Sequence, residues 1–418
     1  MGMDQNSLFE AGLGLEAPWK VTGSGLERDQ SGKMFLCLEI EVQPGAKLPC
    51  SCCGNLCSIY DHELKRWRHL NFWQHATYLS ARVPRTDCPE HGVRQVEVPW
   101  ARAGSGFTLM FEAFVMALCK EMPVSAAADL VGETDTRLWR VVQHYVGRAH
   151  RAQDWSEVHT LAIDETATRK GHRYATVAVD LRPETGASAR LLFMTPGRSG
   201  QCVEEVALAM PAHGAAPHQI EVVAMDLSPA YQKGAAEHFA SAQVVFDRFH
   251  VMKLAQEAVD EVRKQLHREG ADVKGGLWAL RGNREGLKEP QRKLRDELCA
   301  TYKEIGRAMA LREHLQETWE WPGVHTATLH LKLWCQWADR SRLESFRKLS
   351  RTIKKHWEGI LAFYPNRITS AAIESINGII QTARRRARGF RNFANFKAIA
   401  YWMAGDLDLK LQPAFTHP

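Results

Sequence analysis

The sequence predicts a mixed α/β core that is interrupted by a long all-helical block and preceded by a β-rich, cysteine-bearing segment and a helical hairpin. Three observations carry this. Five short apolar segments between residues 158 and 247 read as strands; the first three follow one another through tight connections, and the last two are reached through helical segments. That order fits a mixed sheet flanked by helices. Residues 252–360 are helical in period, rich in alternating charge and free of strand-like alternation. Before residue 100 the chain breaks into short strands between turns, and four of its ten cysteines crowd into residues 50–57.

At 418 residues the chain is long enough for several domains. The reading gives an N-terminal zinc-binding region over 1–105, a helix-turn-helix over 106–152, a first core part over 153–251, a helical insertion over 252–365 and a last core part over 366–418. "MFLCLEIEVQ" (34–43) alternates as a half-buried strand does, and "PGAKLPC" breaks it. "FTLMFEAFVMALCKEM" from Phe107 carries a broad apolar helical stripe. "PVSAAADLVGETDTRLWRVVQHYV" reads as helix, turn at Gly132-Glu133-Thr134, and helix, the outline of a helix-turn-helix.

In the core, "VHTLAIDET" is a strand ending in Asp164, "RYATVAVDL" and "ARLLFMT" are the second and third, and "IEVVAMD" ends in Asp226. Ser228 and Pro229 suit the cap and first position of the next helix, and "AQVVFD" is the fifth strand. Pro322-Gly323 is the clearest break within the helical block, and Thr369 or Ser370 suits the cap of the last functional helix.

Composition excludes some classes. The chain is 45% hydrophobic and 24% charged, and no apolar run approaches the roughly 18 residues needed to cross a bilayer. "MGMDQNSLFE" has neither a basic n-region nor an apolar h-region, so a cytoplasmic location is expected. The net charge of +6 is mild, but it is unevenly spread. Residues 340–355 hold seven Lys or Arg against one Glu, and residues 384–391 hold five Arg and no acid. Local basic blocks in a near-balanced chain point to a polyanionic partner.

Cysteine clustering in a cytoplasmic chain favours metal over disulfides. Cys50-x-x-Cys53 and Cys88-x-x-His91 make two pairs, each followed by Gly, and four N or S ligands suit tetrahedral Zn²⁺. Cys52 and Cys57 are alternative ligands on spacing alone.

Asp164 and Asp226 stand at strand ends, where α/β sheets form ligand sites, and Glu374 lies in the first turn of a later helix. Carboxylates from three elements suit Mg²⁺ or Mn²⁺ and phosphoryl transfer. Each acid also has an ordinary role, as a turn cap or a partner of the helix dipole. Glu165, Asp180 and Asp247 occupy comparable positions. After Glu374, one helix face presents Asn377, Gln381, Arg384 with Arg385, and Arg388, while Ile373, Ile376, Ile380, Ala383 and Ala387 form the packing face. Arg384, Arg385, Arg386 and Arg388 are candidate phosphate contacts, as are Lys170 and Arg173 near Asp164.

Three blocks carry a family resemblance: "AIDETATRKGHRYATVAVDL", "AMDLSPAYQKGAAEHFASAQVVFDRFHVMKL" and "AAIESINGIIQTARRRARGFRNFANFK". Together they resemble the ISL-three family of bacterial insertion-sequence transposases, and the cysteine region resembles that family's zinc finger. The resemblance implies a ribonuclease-H-like core, with Asp164, Asp226 and Glu374 as the metal-binding catalytic triad. It favours Cys50, Cys53, Cys88 and His91 as the zinc ligands. "DRFH" is similar to an Asp-x-x-His signature that would bring His250 to the active site. One departure is Ser370-Ala371-Ala372-Ile373, where the family often has Asn-Gly and two hydrophobic residues.

The implied activity is Mg²⁺-dependent cleavage and strand transfer of double-stranded DNA, at terminal inverted repeats and at a target, by a homodimer or larger synaptic assembly in a bacterial cell. A non-catalytic zinc-finger regulator descended from such an enzyme is the rival expectation.

Overall fold

A computed structural model describes residues 4–411, apart from 170, 172, 184, 185, 367, 369 and 370. The chain divides into two compact units, one formed by residues 1–145 with 409–418 and the other by residues 146–408. Among the described residues no helix is long and apolar enough to cross a membrane.

The first unit contains α1 (Gln5–Leu13), β1 (Trp19–Arg28), β2 (Met34–Val42), β3 (Leu48–Pro49), β4 (Leu56–Cys57), β5 (Ile59–Phe72), β6 (His75–Cys88) and β7 (Gly92–Gln95). Its helices α2 (Leu109–Glu121) and α3 (Val124–Val131) follow, and the division of the chain falls within α4 (Asp135–Arg151). The main sheet runs β1-β2-β6-β5, with β7 on β6; β2 and β6 are parallel and the other pairs antiparallel.

Alternation on β6 sends Leu79, Ala81 and Val83 inward, where they meet Trp19, Trp67 and Trp100. Trp100 makes edge-on contacts with both other indoles, at centroid distances of 4.9 and 5.6 Å. Thr108 caps α2 by accepting the Phe111 N–H. Glu112 on α2 is fully buried. It is matched by Arg102 at 2.9 Å, Ser105 at 2.7 Å and the Tyr145 hydroxyl at 2.8 Å, which satisfies an otherwise costly charge.

The second unit opens its sheet with β8 (Thr160–Arg169), β9 (Arg173–Asp180) and β10 (Arg190–Pro196). Then α5 (Gly200–Ala209), β11 (Val222–Met225), α6 (Pro229–His238) and β12 (Gln243–Phe246) complete it. The sheet order is β10-β9-β8-β11-β12. The first three strands form an antiparallel meander, and β11 and β12 run parallel to β8.

β8 does not stop at Asp164, as the sequence suggests. It runs on to Arg169, because its hairpin pairing with β9 continues to Arg169↔Arg173 after the parallel pairing with β11 ends at Ile163↔Met225. Ser228 does occupy the cap position of α6, but its side chain makes no capping hydrogen bond.

The helical block comprises α7 (Arg248–Arg268), α8 (Gly276–Ala279), α9 (Glu289–Thr301), α10 (Lys303–Glu317), α11 (Val324–Arg340), α12 (Glu344–Lys355), α13 (Trp357–Leu361) and α14 (Phe363–Asn366). Its core residues Leu331, Trp334 and Phe346 belong to the same continuous buried cluster as Leu161, Ile163 and Val223 of the sheet. The block therefore shares a core with the sheet. The chain closes with α15 (Ala371–Arg386), which packs on β8, and α16 (Phe393–Ala404), which packs on β10. The predicted caps Thr369 and Ser370, and with Ser370 the first residue of the family departure, lie outside the described residues.

Candidate active site and zinc centre

Register builds the acidic site. Ile163 of β8 pairs with Met225 of β11, and Met225 pairs with Phe246 of β12. Asp164, Asp226 and Asp247 are the next residues on these three adjacent strands, so they stand in one row where the parallel pairing ends. The carboxyl ends of parallel strands are where such sheets place ligands.

A cavity of about 380 Å³ opens there. Its wall includes Asp164, Asp226, Asp247, His250 and Glu374. Burial pushes the Asp164 carboxyl up to about 6, and the charge of neighbouring Asp226 adds to that. Asp226 accepts the Ser228 N–H at 2.9 Å, so it holds its own turn as well as facing the cavity.

Asp247 explains the "DRFH" motif. It caps α7 by accepting the Phe249 N–H at 3.0 Å, and its other oxygen takes His250 Nδ1 at 3.1 Å. That bond holds the His250 imidazolium above its usual range. The cap of α7 is thus Asp247, and His250 is its side-chain partner.

Glu374 is exposed in the first turn of α15. The stripe that follows it is used differently from the sequence reading. Asn377 Nδ2 donates to Asp164 Oδ2 at 2.9 Å. Gln381 Nε2 donates to Thr166 Oγ1 and to the Ala167 carbonyl, at 2.8 and 2.9 Å. Arg384 Nη1 donates to the same carbonyl at 2.6 Å. Seven helical residues rise about 10 Å and three strand residues span about 10 Å, so this stripe matches β8 in register. It fixes the helix carrying Glu374 beside the strand carrying Asp164.

Among the arginines, Arg385 is exposed and donates to Thr382 within its own helix, at 3.2 Å. Arg386 and Arg388 are exposed. The helix ends at Arg386, and Arg388 adopts a left-handed backbone (φ 52°), so Arg388 leaves the helical face on which periodicity placed it. Arg173 is exposed at the start of β9, and Lys170 lies outside the described residues. Arg169, which sequence reasoning passed over, donates to the Phe390 and Arg391 carbonyls at 3.1 and 2.6 Å and clamps the chain beyond α15. Nothing in its local pattern signals this. Of the competing acids, Asp180 is buried and paired with Arg182 and Arg190, while Glu165 lies 3.7 Å from Arg198.

These residues fit a hard divalent cation. Asp164, Asp226 and Glu374 share one cavity wall, Asp164 has its proton affinity raised, and Asn377 Oδ1 is buried beside Asp164 with no hydrogen-bond partner among the described residues.

In the first unit, one atom each from Cys50, Cys53, Cys88 and His91 lie within 4.8 Å of one another. Cys53 Sγ is 3.7 Å from Cys88 Sγ, which is 3.6 Å from His91 Nδ1. Tetrahedral Zn²⁺ with bonds of about 2.3 Å to sulfur spaces its ligands by about 3.8 Å. The donor set and spacing fit zinc. Gly54 (φ 76°) and Gly92 (φ 66°) take the left-handed turn that closes each knuckle. The His91 imidazole beside Cys88 pulls that thiol down to about 6, favouring the thiolate a metal needs. Cys52 is exposed and outside the quartet. Cys57 is buried nearby, its thiol directed to the Asn55 carbonyl at 3.3 Å.

Comparison with known proteins gives three adjoining matches. Residues 47–91 match a family model described as the zinc-finger of transposase IS204/IS1001/IS1096/IS1165. Residues 96–146 match the helix-turn-helix domain of transposase family ISL3, and residues 161–400 match the ISL3 model described as a transposase. The chain is 28% identical over 370 residues to the transposase for insertion sequence element IS1001 of Bordetella parapertussis, covering 85% of this chain and 88% of that one. It is 28% identical over 421 residues to the transposase for insertion sequence element IS1557 of Mycobacterium tuberculosis, covering 92% of each.

Proposed function

The chain belongs to the ISL3 family of transposases, and from that premise we propose that it cuts and joins double-stranded DNA at the terminal inverted repeats of a bacterial insertion sequence, with Asp164, Asp226 and Glu374 as the catalytic carboxylates. The observation that carries this reading is the single cavity lined by all three, at the end of the parallel strands. The sheet supports a ribonuclease-H-like core, since an antiparallel meander continued by two parallel strands is that arrangement.

Asp164, Asp226 and Glu374 would hold Mg²⁺ or Mn²⁺, which supplies Lewis acidity for in-line phosphoryl transfer. The protein's own part is electrostatic and positional. Asn377 holds the Asp164 carboxylate in one orientation. Asp247 raises the proton affinity of His250 and orients its ring through Nδ1, which suits it to meet a phosphate oxygen. The Asn377, Gln381 and Arg384 bonds keep Glu374 in place while DNA loads.

DNA backbone contacts fall to Arg173, Arg385, Arg386 and Arg388, with Arg384 positioning the helix. Cys50, Cys53, Cys88 and His91 would hold structural Zn²⁺, and the zinc region with α3 and α4 would recognise the repeats. Domains over 1–105, 106–152, 153–251, 252–365 and 366–418 divide these tasks, and pairing of two ends calls for at least a dimer. Replacement of Asp226 by Asn should lower Mg²⁺-dependent cleavage of a repeat-end duplex by roughly 10³-fold or more. Unchanged cleavage would remove Asp226 from the site, and no cleavage by the wild-type chain on its own ends would favour a non-catalytic DNA-binding regulator.

A further inference from the structure

The helical block contains a second group of metal-ligating side chains, which the transposition chemistry does not use. His314 and Glu317 lie three residues apart on α10, where successive turns bring side chains together. His330 comes from α11. One nitrogen of each imidazole and one Glu317 oxygen all lie within 4.8 Å of one another. The two rings stack with centroids 4.4 Å apart and planes 7° apart, and His330 Nε2 is 3.7 Å from Glu317 Oε2.

The unsatisfied atoms point to a ligand. Among the described residues, His314 Nδ1 and His330 Nε2 are buried with no hydrogen-bond partner, and His330 as a whole is 8% exposed. Buried polar atoms are rarely left this way, because the desolvation cost goes unrecovered. The other nitrogen of His330 is satisfied. His330 Nδ1 lies 2.9 Å from Thr318 Oγ1, and the Tyr364 hydroxyl donates to the Thr318 carbonyl. With the Nδ1 proton assigned to the Thr318 bond, His330 Nε2 presents a lone pair. Such a bond on the far nitrogen is how metal-binding histidines are oriented.

We propose that His314, Glu317 and His330 bind a transition-metal ion of the Zn²⁺ class and so staple the α10–α11 hairpin. Two neutral imidazoles and a carboxylate can each offer an electron pair, which suits a cation. Two imidazoles and a carboxylate suit zinc, cobalt or nickel better than Mg²⁺. Three protein ligands leave a fourth position for water or an incoming group. Exposed Glu317 gives the ion its path from solvent.

The test uses the full-length chain, loaded with Zn²⁺ and freed of excess, with zinc per chain measured by mass spectrometry. Wild type should carry about two equivalents, one of them in the Cys₃His centre. Glu317→Gln and His314→Gln should each lose one equivalent, or bind it at least about tenfold more weakly, with unchanged melting in chelator. Glu317 is exposed, so its replacement does not put the fold at risk. Cobalt loading adds an independent readout: the second equivalent should absorb without the sulfur charge-transfer band of the first. One equivalent in every protein overturns the proposal. So does a second equivalent that both variants keep, or one that carries the sulfur band.

Discussion

The zinc quartet and the acidic cavity both gather ligating side chains, but the chain builds them in opposite ways. The quartet comes from two local turns. Cys50 and Cys53 lie on one knuckle, Cys88 and His91 on the other, and their atoms are already at ligand spacing. The acidic site is assembled from three strands and one distant helix, with Asn377 bonded to Asp164 across 213 residues. A site made of knuckles needs the metal to hold its fold. A site made by a sheet stands without the metal and stores electrostatic strain instead.

The largest test of this contrast is zinc removal. Chelation, or Cys50→Ser with Cys53→Ser, should unfold residues 47–91, since a structural zinc contributes on the order of 10 kcal/mol. Limited proteolysis should then cut the first unit while residues 161–400 still melt cooperatively. A zinc-free first unit that resists protease would break the contrast.

The acidic site should respond in the opposite sense. The folded state holds the Asp164 proton to about pH 6, against 3.8 for the free group. Ionisation therefore costs the folded state stability as pH rises from about 4 to 6, and the full penalty remains at pH 7. Replacement of Asp164 by Asn should raise the stability of the metal-free protein at pH 7 by about 1–3 kcal/mol, while abolishing cleavage. The gain should vanish below about pH 4, and Mg²⁺ should narrow it by stabilising the wild type. Denaturant unfolding at two pH values reads this directly, and a destabilised variant would count against a strained carboxylate.

Smaller effects separate the residues along α15. Replacement of Asn377 by Ala should slow cleavage by about 10–100-fold with repeat-end affinity unchanged, because it loosens a carboxylate without touching DNA. Arg385→Ala should do the reverse, weakening DNA binding at all sequences and reducing the salt slope by about one. Arg384→Ala should resemble Asn377→Ala. An Arg384 variant that changes only the salt slope would return that side chain to the DNA surface.

A separate effect, away from the two sites, is on acid stability. Burial pulls the His150 imidazole down to about 4, while its ring stacks on Tyr401 and donates to the Leu192 carbonyl. Its folded-state value lies below the free value, so stability should fall as pH drops from about 6.5 to 4. His150→Gln should flatten that part of the curve.

The sequence by itself determined what depends on neighbours in the chain. The two knuckles follow from Cys-x-x-Cys and Cys-x-x-His spacing with a glycine after each. The helices around Gly132 follow from apolar period, and the strands of the sheet from short apolar runs. The family followed from three motif blocks in order.

Tertiary structure alone decided what depends on register. Pairing with β9 carried β8 past Asp164 to Arg169. Pairing of Ile163, Met225 and Phe246 put Asp247 in line with two predicted acids and made it the partner of His250. The polar face of α15 reads as a DNA surface in one dimension. In three dimensions Asn377, Gln381 and Arg384 are committed to β8, because helical rise and strand rise coincide there. Periodicity shows which residues share a face. What that face meets is set by packing between segments far apart in the chain, on which local spacing has no hold.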